Sequence, residues 1–394
     1  MRFVSRVAGL TLSDAARAFP ALVLTGPRRS GKTTLLRHFQ PSARFLLLED
    51  PALQLRARSD PSALLDDFPP PVIFDEIQNV PELFNHVRAR IDAHPRRMGQ
   101  WFFTGSQEAP LMRGVSESMA GRAAVLQLLP FSLAETPRVS LLDGGFPEVL
   151  AHPKTRDLWF ASYIQTYLER DVRSVTGIRD LALFRRFLAL VASRHGQVVN
   201  RTDLAAPLGV SVPTINDWIH ILEITGQILL VPPYFENFGK RLTKSPKLYL
   251  CDSGLACHLL GIRSAAELER SPFLGAIFEG FLAAEIVKSQ INRGARKEIY
   301  HFRDQQGLEV DFLFPDRRGK LTLVECKASK TVYPKMAAPL NSLRRAAPDA
   351  RCVVVHRRPR AGTVTRAIAP GVEALDEHQF IAALNVVSVK QSRS

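Results

Sequence analysis

The stretch GPRRSGKT, Gly26 to Thr33, constrains this chain more than any other feature. It follows the apolar run Ala21–Thr25 and opens the helical stretch Thr34–Phe39, so strand, glycine loop and helix come in direct succession. Glycines let consecutive backbone N–H groups curl around an anion, and the helix N-terminus adds the positive end of its dipole. The pattern GxxxxGK[ST] in that context is a loop for nucleotide phosphates. Gly26, Pro27, Arg28, Arg29, Ser30, Gly31, Lys32, Thr33 and Thr34 are its expected members. Lys32 is placed to reach the β- and γ-phosphates and Thr33 to offer its hydroxyl to Mg²⁺, so ATP and Mg²⁺ are the expected cofactors.

A second signal lies about forty residues on, where the apolar strand Val72-Ile73-Phe74 ends in Asp75-Glu76. Strand ends of this kind sit at the sheet edge where ligands bind. Asp75 suits the outer sphere of the metal, and Glu76 suits a general base that polarises the attacking water, which points to hydrolysis beyond simple binding. A third strand, Trp101–Thr104, runs into Gly105-Ser106-Gln107, where Ser106 is the candidate sensor of the γ-phosphate. Arg113 and Arg122 are candidates for an arginine finger acting on a neighbour's ATP, which requires a homo-oligomer. The β-rich runs Ala21–Thr25, Phe45–Leu48, Val72–Phe74, Trp101–Thr104 and Ala124–Leu129 alternate with helical stretches, the pattern of a parallel α/β sheet.

At 394 residues several domains are expected. Hydrophobic residues at 46% and charged residues at 23% exclude disorder and fibrous classes. No apolar run approaches the roughly 18 residues of a membrane span, and the first residues lack a signal-peptide stretch. The expectation is a cytoplasmic protein with no membrane partner. Cys251, Cys257, Cys326 and Cys352 show no CxxC spacing, so neither a zinc site nor a disulfide framework is encoded. The net charge of +14 favours a polyanionic partner such as nucleic acid, and residues 271–394 hold the largest share, with 20 basic against 12 acidic residues.

The middle third carries helix-turn-helix spacing: Leu181–Arg194, then Arg201–Leu208, a turn at Gly209, and a helix from Val212 to Ile224. Strand-like Gln227–Pro232 and Lys247–Leu250 flank a loop that reads as a wing, in which Lys240, Arg241, Lys244 and Lys247 are candidates for phosphate contacts with DNA. The presumed reading helix offers Thr214, Asn216, Asp217 and His220 but no cation, so sequence-specific readout is modest. A rigid lid extension or dimerisation module is the alternative use of this segment.

From Phe273 the pattern is helix, three strands, helix, strand: Phe273–Asn292, Lys297–Asp304, Leu308–Phe314, Lys320–Ser329, Lys335–Ala347 and Arg351–His356. If the hairpin turn centres on Arg318, Asp311 faces Glu325 and Glu309 faces Lys327, while Leu308, Val310, Phe312, Phe314, Val324 and Cys326 take the other face. Cross-strand Cβ atoms lie about 5 Å apart and like charges there repel, a cost that a hard divalent cation would offset. Glu279, Asp311 and Glu325 are the candidate metal ligands, and Lys327 is the candidate to orient a hydrolytic water. Salt bridging of these acids in a non-catalytic domain is the alternative.

Two resemblances follow. GPRRSGKTT, VIFDEIQ, FFTGSQ, MAGRAAVLQLLPFS, GGFPEVL and YLERDV together resemble prokaryotic AAA-type ATPases that carry an uncharacterised C-terminal domain. Glu279, Asp311, Glu325 and Lys327, in that strand order, resemble the PD-(D/E)xK nuclease superfamily without its leading proline. They imply a multidomain α/β chain: an AAA+ P-loop NTPase core over 1–135, a helical lid over 136–178 containing GGFPEVL, a winged helix-turn-helix over 179–262 and a restriction-endonuclease-like α/β domain over 263–394. With the winged helix and the basic C-terminal third as the parts that would hold DNA, the expected function is ATP hydrolysis used to translocate along or remodel duplex or branched DNA. An ATP-gated, Mg²⁺-dependent nuclease and a nucleotide-dependent switch for a protein partner, as in signalling or toxin-antitoxin control, stand as alternatives.

Overall fold

A computed structural model describes residues 3–105, 118–168, 180–234, 245–316, 318–359 and 367–385. Its first sheet has five parallel strands in the order β2-β3-β4-β1-β5, with β1 Ala21–Thr25, β2 Arg44–Leu47, β3 Val72–Asp75, β4 Trp101–Thr104 and β5 Ala123–Gln127. Both faces of the central strands β1, β3 and β4 are covered, which is why these read as continuous apolar runs. Ala21, Val23, Phe74 and Phe103 pack toward α3 Pro51–Ser59, α4 Pro61–Asp67 and α5 Leu83–Ala93. Leu22, Leu24, Ile73 and Phe102 pack toward α1 Ala8–Ala18 and α2 Lys32–Phe39, as the two-residue period of a strand requires.

Beyond β5 a helical region with a small antiparallel sheet follows. Helices α6 Pro147–Ala151, α7 Arg156–Tyr163, α8 Leu181–Ser193, α9 Arg201–Ala205 and α10 Val212–Ile224 surround strands β6 Gln197–Val198, β7 Ile228–Val231 and β8 Lys247–Leu250, ordered β6-β8-β7. Phe146, Phe160 and Tyr163 share one core with Phe184, Trp218 and Leu250, so the segments expected as lid and winged helix are packed as one body. Asn216, Asp217 and His220 are exposed on α10, and Thr214 is half-buried.

The C-terminal region follows the expected element order, after α11 Ser253–Leu259 and α12 Ala265–Arg270. It runs α13 Leu274–Ile291, β9 Tyr300–Arg303, β10 Glu309–Pro315, β11 Leu321–Lys327, α14 Ala338–Arg344, β12 Arg351–His356, β13 Ala367–Ala369, β14 Val372–Asp376 and α15 Glu377–Asn385. The six strands are ordered β13-β14-β12-β11-β10-β9. Phe312 pairs with Val324 and Phe314 with Thr322, the register centred on residue 318. One expectation is corrected. Phe312, Phe314 and Val324 pack beneath α13 and α15, but Val310 packs with Leu313 and Leu323 on the opposite face, beneath α14. An irregularity between Val310 and Leu313 breaks the alternation, and helices bury both faces of the hairpin.

Helix α13 is apolar nearly all round because it is central, packed against β8, the C-terminal sheet and the segment after β5. Glu285 and Lys288, both buried on α13, pair at 2.9 Å and hold that segment: Glu285 accepts from Leu133 N–H at 3.1 Å and Lys288 donates to Phe131 O at 2.9 Å. Among the described residues no helix is long and apolar enough to cross a membrane, and all four cysteines are free.

Candidate active site

The loop from Gly26 to Gly31 joins β1 to α2, and its glycines are required by geometry. Gly26 has φ +136°, and a Cβ there would lie 2.2 Å from Leu128 O; Gly31 caps α2 with φ +96°. Lys32 is buried and donates to Gly26 O at 2.9 Å and Pro27 O at 2.8 Å, lying back over its own loop. Thr33 in the first turn of α2 donates to Asp75 Oδ1 at 2.7 Å, across from the C-terminal end of β3. These groups border a cavity of about 440 Å³ also lined by Thr34, Glu76 and Arg28. Ser30 is buried; its carbonyl accepts from Arg6 at 2.9 Å.

Asp75 is 6% exposed. Burial pushes its carboxyl up, against hydrogen bonds from Thr104 and Thr33 that favour the ionised form. Thr104 donates to Asp75 Oδ1, and its oxygen accepts from Glu76 N–H at 3.1 Å. Glu76 sits in the left-handed region at φ 58°, so this contact helps hold a backbone conformation that costs a non-glycine residue about 1–2 kcal/mol. Arg28 lies 3.8 Å from Glu76 Oε1 and 3.3 Å from Glu49 Oε1. Arg29, also at positive φ, lies 3.6 Å from Glu148.

Several contributors carried no local signal. Thr104 reads as the last residue of an apolar strand, and only β4 lying between β1 and β3 brings it to Asp75. Arg6 reads as an isolated N-terminal charge, yet it is buried, bonds Ser30 O, Leu129 O at 2.6 Å and Glu135 at 3.0 Å, and covers the Phe131 ring. Glu148, within GGFPEVL, reaches the cavity from α6, a position the sequence alone does not reveal. Ser106 and Arg113 lie outside the described residues. Arg122 stands just before β5, at the opposite end of the sheet from the cavity, where it pairs with Asp92 at 2.6 Å.

The second group of expected site residues assembles differently from the expectation. Lys240, Arg241 and Lys244 lie outside the described residues. Lys247 does not face a DNA backbone: it is 3% exposed and its Nζ lies 2.9 Å from Glu279 Oε1, 2.6 Å from Glu309 Oε1 and 3.7 Å from Asp311 Oδ1. The reason is the period of β8: Leu248 and Leu250 face the helical core, so Lys247 and Tyr249 turn toward α13 and the β10–β11 hairpin. Lys327 pairs within its own strand, with Glu325 at 2.5 Å, instead of across it with Glu309.

Glu279, Asp311 and Glu325 do converge. Burial, then repulsion from Asp311, lifts Glu279 to about 7 and Glu325 to about 8. Burial lowers the Lys247 ammonium, but the Glu279, Asp311 and Glu309 charges outweigh it and its affinity for the proton rises. Among the described residues no group of three or more His, Cys, Asp or Glu side chains is arranged to hold a metal ion, and an ammonium lies among the carboxylates instead. By contrast, the hard oxygens of Thr33 and Asp75, 2.7 Å apart beside the phosphate loop, suit Mg²⁺.

Comparison with known proteins finds an AAA domain over the first sheet. An AAA domain matches residues 18–136, and two domains of unknown function, DUF8612 and DUF4143, match 135–266 and 274–369. The uncharacterized protein Rv2008c of Mycobacterium tuberculosis is 33% identical over 375 residues, covering 91% of this chain and 82% of its own length. The uncharacterized protein Mb2031c of Mycobacterium bovis gives the same figures. Among solved structures, the Walker-type ATPase PABY2304 of Pyrococcus abyssi is similar at 17% identity and TM-score 0.44, over 64% of this chain and 94% of that one. The Thermotoga maritima RuvB Holliday junction branch migration motor is similar at 16% identity and TM-score 0.32, over 58% and 91%.

Proposed function

Since the chain belongs to the AAA-type ATPase family that includes these mycobacterial proteins, we propose that it binds Mg²⁺–ATP in the cavity over Gly26–Thr34 and hydrolyses it there. The observation that carries the reading is the meeting of Thr33 and Asp75 at 2.7 Å beside a phosphate loop that opens a helix. The loop amides and Lys32 hold the phosphates, Lys32 exchanging its two carbonyl partners for phosphate oxygens. Thr33 and Asp75 would hold the magnesium ion, which neutralises charge on the phosphates. Glu76 polarises the attacking water; its 3.8 Å approach to Arg28 must loosen for it to do so.

The work done with that energy is DNA translocation or remodelling by a homo-oligomer, with Arg122 or Arg113 as the finger between subunits. This is supported by the net charge of +14 and its bias toward the C-terminal third. The burial of Lys247 removes one of the four wing cations from the account and leaves Lys240, Arg241 and Lys244. The test is ATP turnover in the Lys32→Ala and Glu76→Gln chains, each with single-stranded, duplex and four-way DNA. Turnover should be lost in both, and DNA should stimulate the unaltered protein. Turnover surviving both substitutions sinks the site assignment. No DNA binding at about 0.1 M salt sinks the DNA role and favours a switch for a protein partner.

A further inference from the structure

The hairpin β7–β8 and the C-terminal sheet are joined by more than apolar packing. Pro233 bridges to His301, Tyr234 N–H donates to His301 O at 2.8 Å, and His301 N–H donates to Pro232 O at 2.9 Å, so the end of β7 runs alongside β9. On β8, Tyr249 donates its hydroxyl to Glu279 Oε1 at 2.5 Å, the oxygen that Lys247 also contacts. Asp311 Oδ2 accepts from Cys326 N–H at 2.7 Å, and Glu325 Oε2 is buried with no hydrogen-bond partner. Carboxylates from α13 and β10 are thus gathered around one side chain delivered by a strand of a different sheet, with Glu325 of β11 beside Asp311.

A buried charge persists only when it is paired, because removal from water costs several kcal/mol per ion. Buried carboxylates brought together need a cation for the same reason, and either an ammonium or a divalent metal can supply it. The two differ in geometry. Mg²⁺ draws oxygens to about 2.0–2.1 Å in an octahedron, whereas Lys247 holds its acids at 2.6 to 3.7 Å.

We propose that Lys247 is the resident cation of this carboxylate centre, occupying the position a divalent ion would take, so that the two compete for Glu279 and Asp311. While β8 is docked, the C-terminal domain holds no catalytic metal, and the charge that would serve phosphodiester cleavage instead fastens the helical region to the C-terminal sheet. The inference is independent of the ATP site and survives if that assignment fails.

Calorimetric titration of the full chain with MnCl₂, without nucleotide, tests it. Asp75→Asn is carried throughout to silence the first site. The Lys247-containing chain should take up no Mn²⁺ through this cluster. Lys247→Met should bind Mn²⁺ at least on the order of 100-fold more tightly than the detection limit set by the Lys247-containing chain, an uptake lost again on adding Asp311→Asn, since it vacates the ion's position and removes the competing positive charge. If Lys247→Met does not fold alone, Mn²⁺ should restore its cooperative melt, because an ion that binds only the folded state stabilises it. Mn²⁺ uptake in the Lys247-containing chain that Asp311→Asn abolishes overturns the proposal. So does a Lys247→Met chain that neither binds Mn²⁺ nor is stabilised by it.

Discussion

Thr104→Val removes one hydroxyl and keeps nearly the same shape, yet that hydroxyl serves two groups of the proposed nucleotide site. Its hydrogen bond to Asp75 Oδ1 is buried and charge-assisted, which is worth about 1.5–3 kcal/mol. Its acceptance of Glu76 N–H at 3.1 Å is worth about 1 kcal/mol and opposes relaxation of Glu76 from φ 58°. Burial already raises the Asp75 carboxyl, and losing Thr104 raises it further, so the acid is less ready to serve Mg²⁺. The sum is about 2–4 kcal/mol, shared between folding and the step in which Asp75 and Glu76 act. At 1.4 kcal/mol per tenfold, turnover should fall between about 10- and 100-fold with a lower melting temperature. Steady-state phosphate release and thermal melts on Thr104→Val and Thr104→Ser decide it; serine keeps the hydroxyl and should stay near the unaltered chain. Turnover of the valine variant within twofold of the parent would refute the reasoning.

Gly226 ends the turn after α10 at φ +70°, and a Cβ there would stand 2.9 Å from Pro27 Cγ of the phosphate loop. Gly226→Ala should therefore weaken Mg²⁺–ATP binding, measured by calorimetry, as well as lower the melting temperature; unchanged affinity would mean the helical region does not press on the loop. Glu279, lifted by burial to about 7 from 4.5, keeps its proton longer when folded than when unfolded. Its contribution to stability is present below about pH 4.5 and is lost as pH rises through about 7. Melting temperatures from pH 5 to pH 8 should thus fall more steeply for the parent than for Glu279→Gln, and parallel curves would contradict that sign.

How much of this was legible in the sequence depended on how local the controlling physics is. The phosphate loop, the Asp75-Glu76 strand end, the five core strands and the helix Val212–Ile224 were readable because glycine conformation, strand-end chemistry and hydrophobic period act over a few residues. The hairpin register was readable for the same reason, since a short turn centred on residue 318 fixes it. Lys247 reads as solvent-facing because it borders a basic loop; only the docking of β8 on α13 and β10 turns it into a buried counter-ion. Thr104 and Arg6 were invisible because their partners lie 29 and 24 residues away along the chain, in Asp75 and Ser30. Strand β4 inserted between β1 and β3 creates the first contact, and the path of the N-terminal segment under the phosphate loop creates the second. The sequence by itself determined which short segments form strands and which takes the glycine-loop turn that opens a helix, through backbone and side-chain chemistry carried within each segment. The tertiary structure alone decided which charges meet, because burial and pairing are properties of segments brought together from far along the chain.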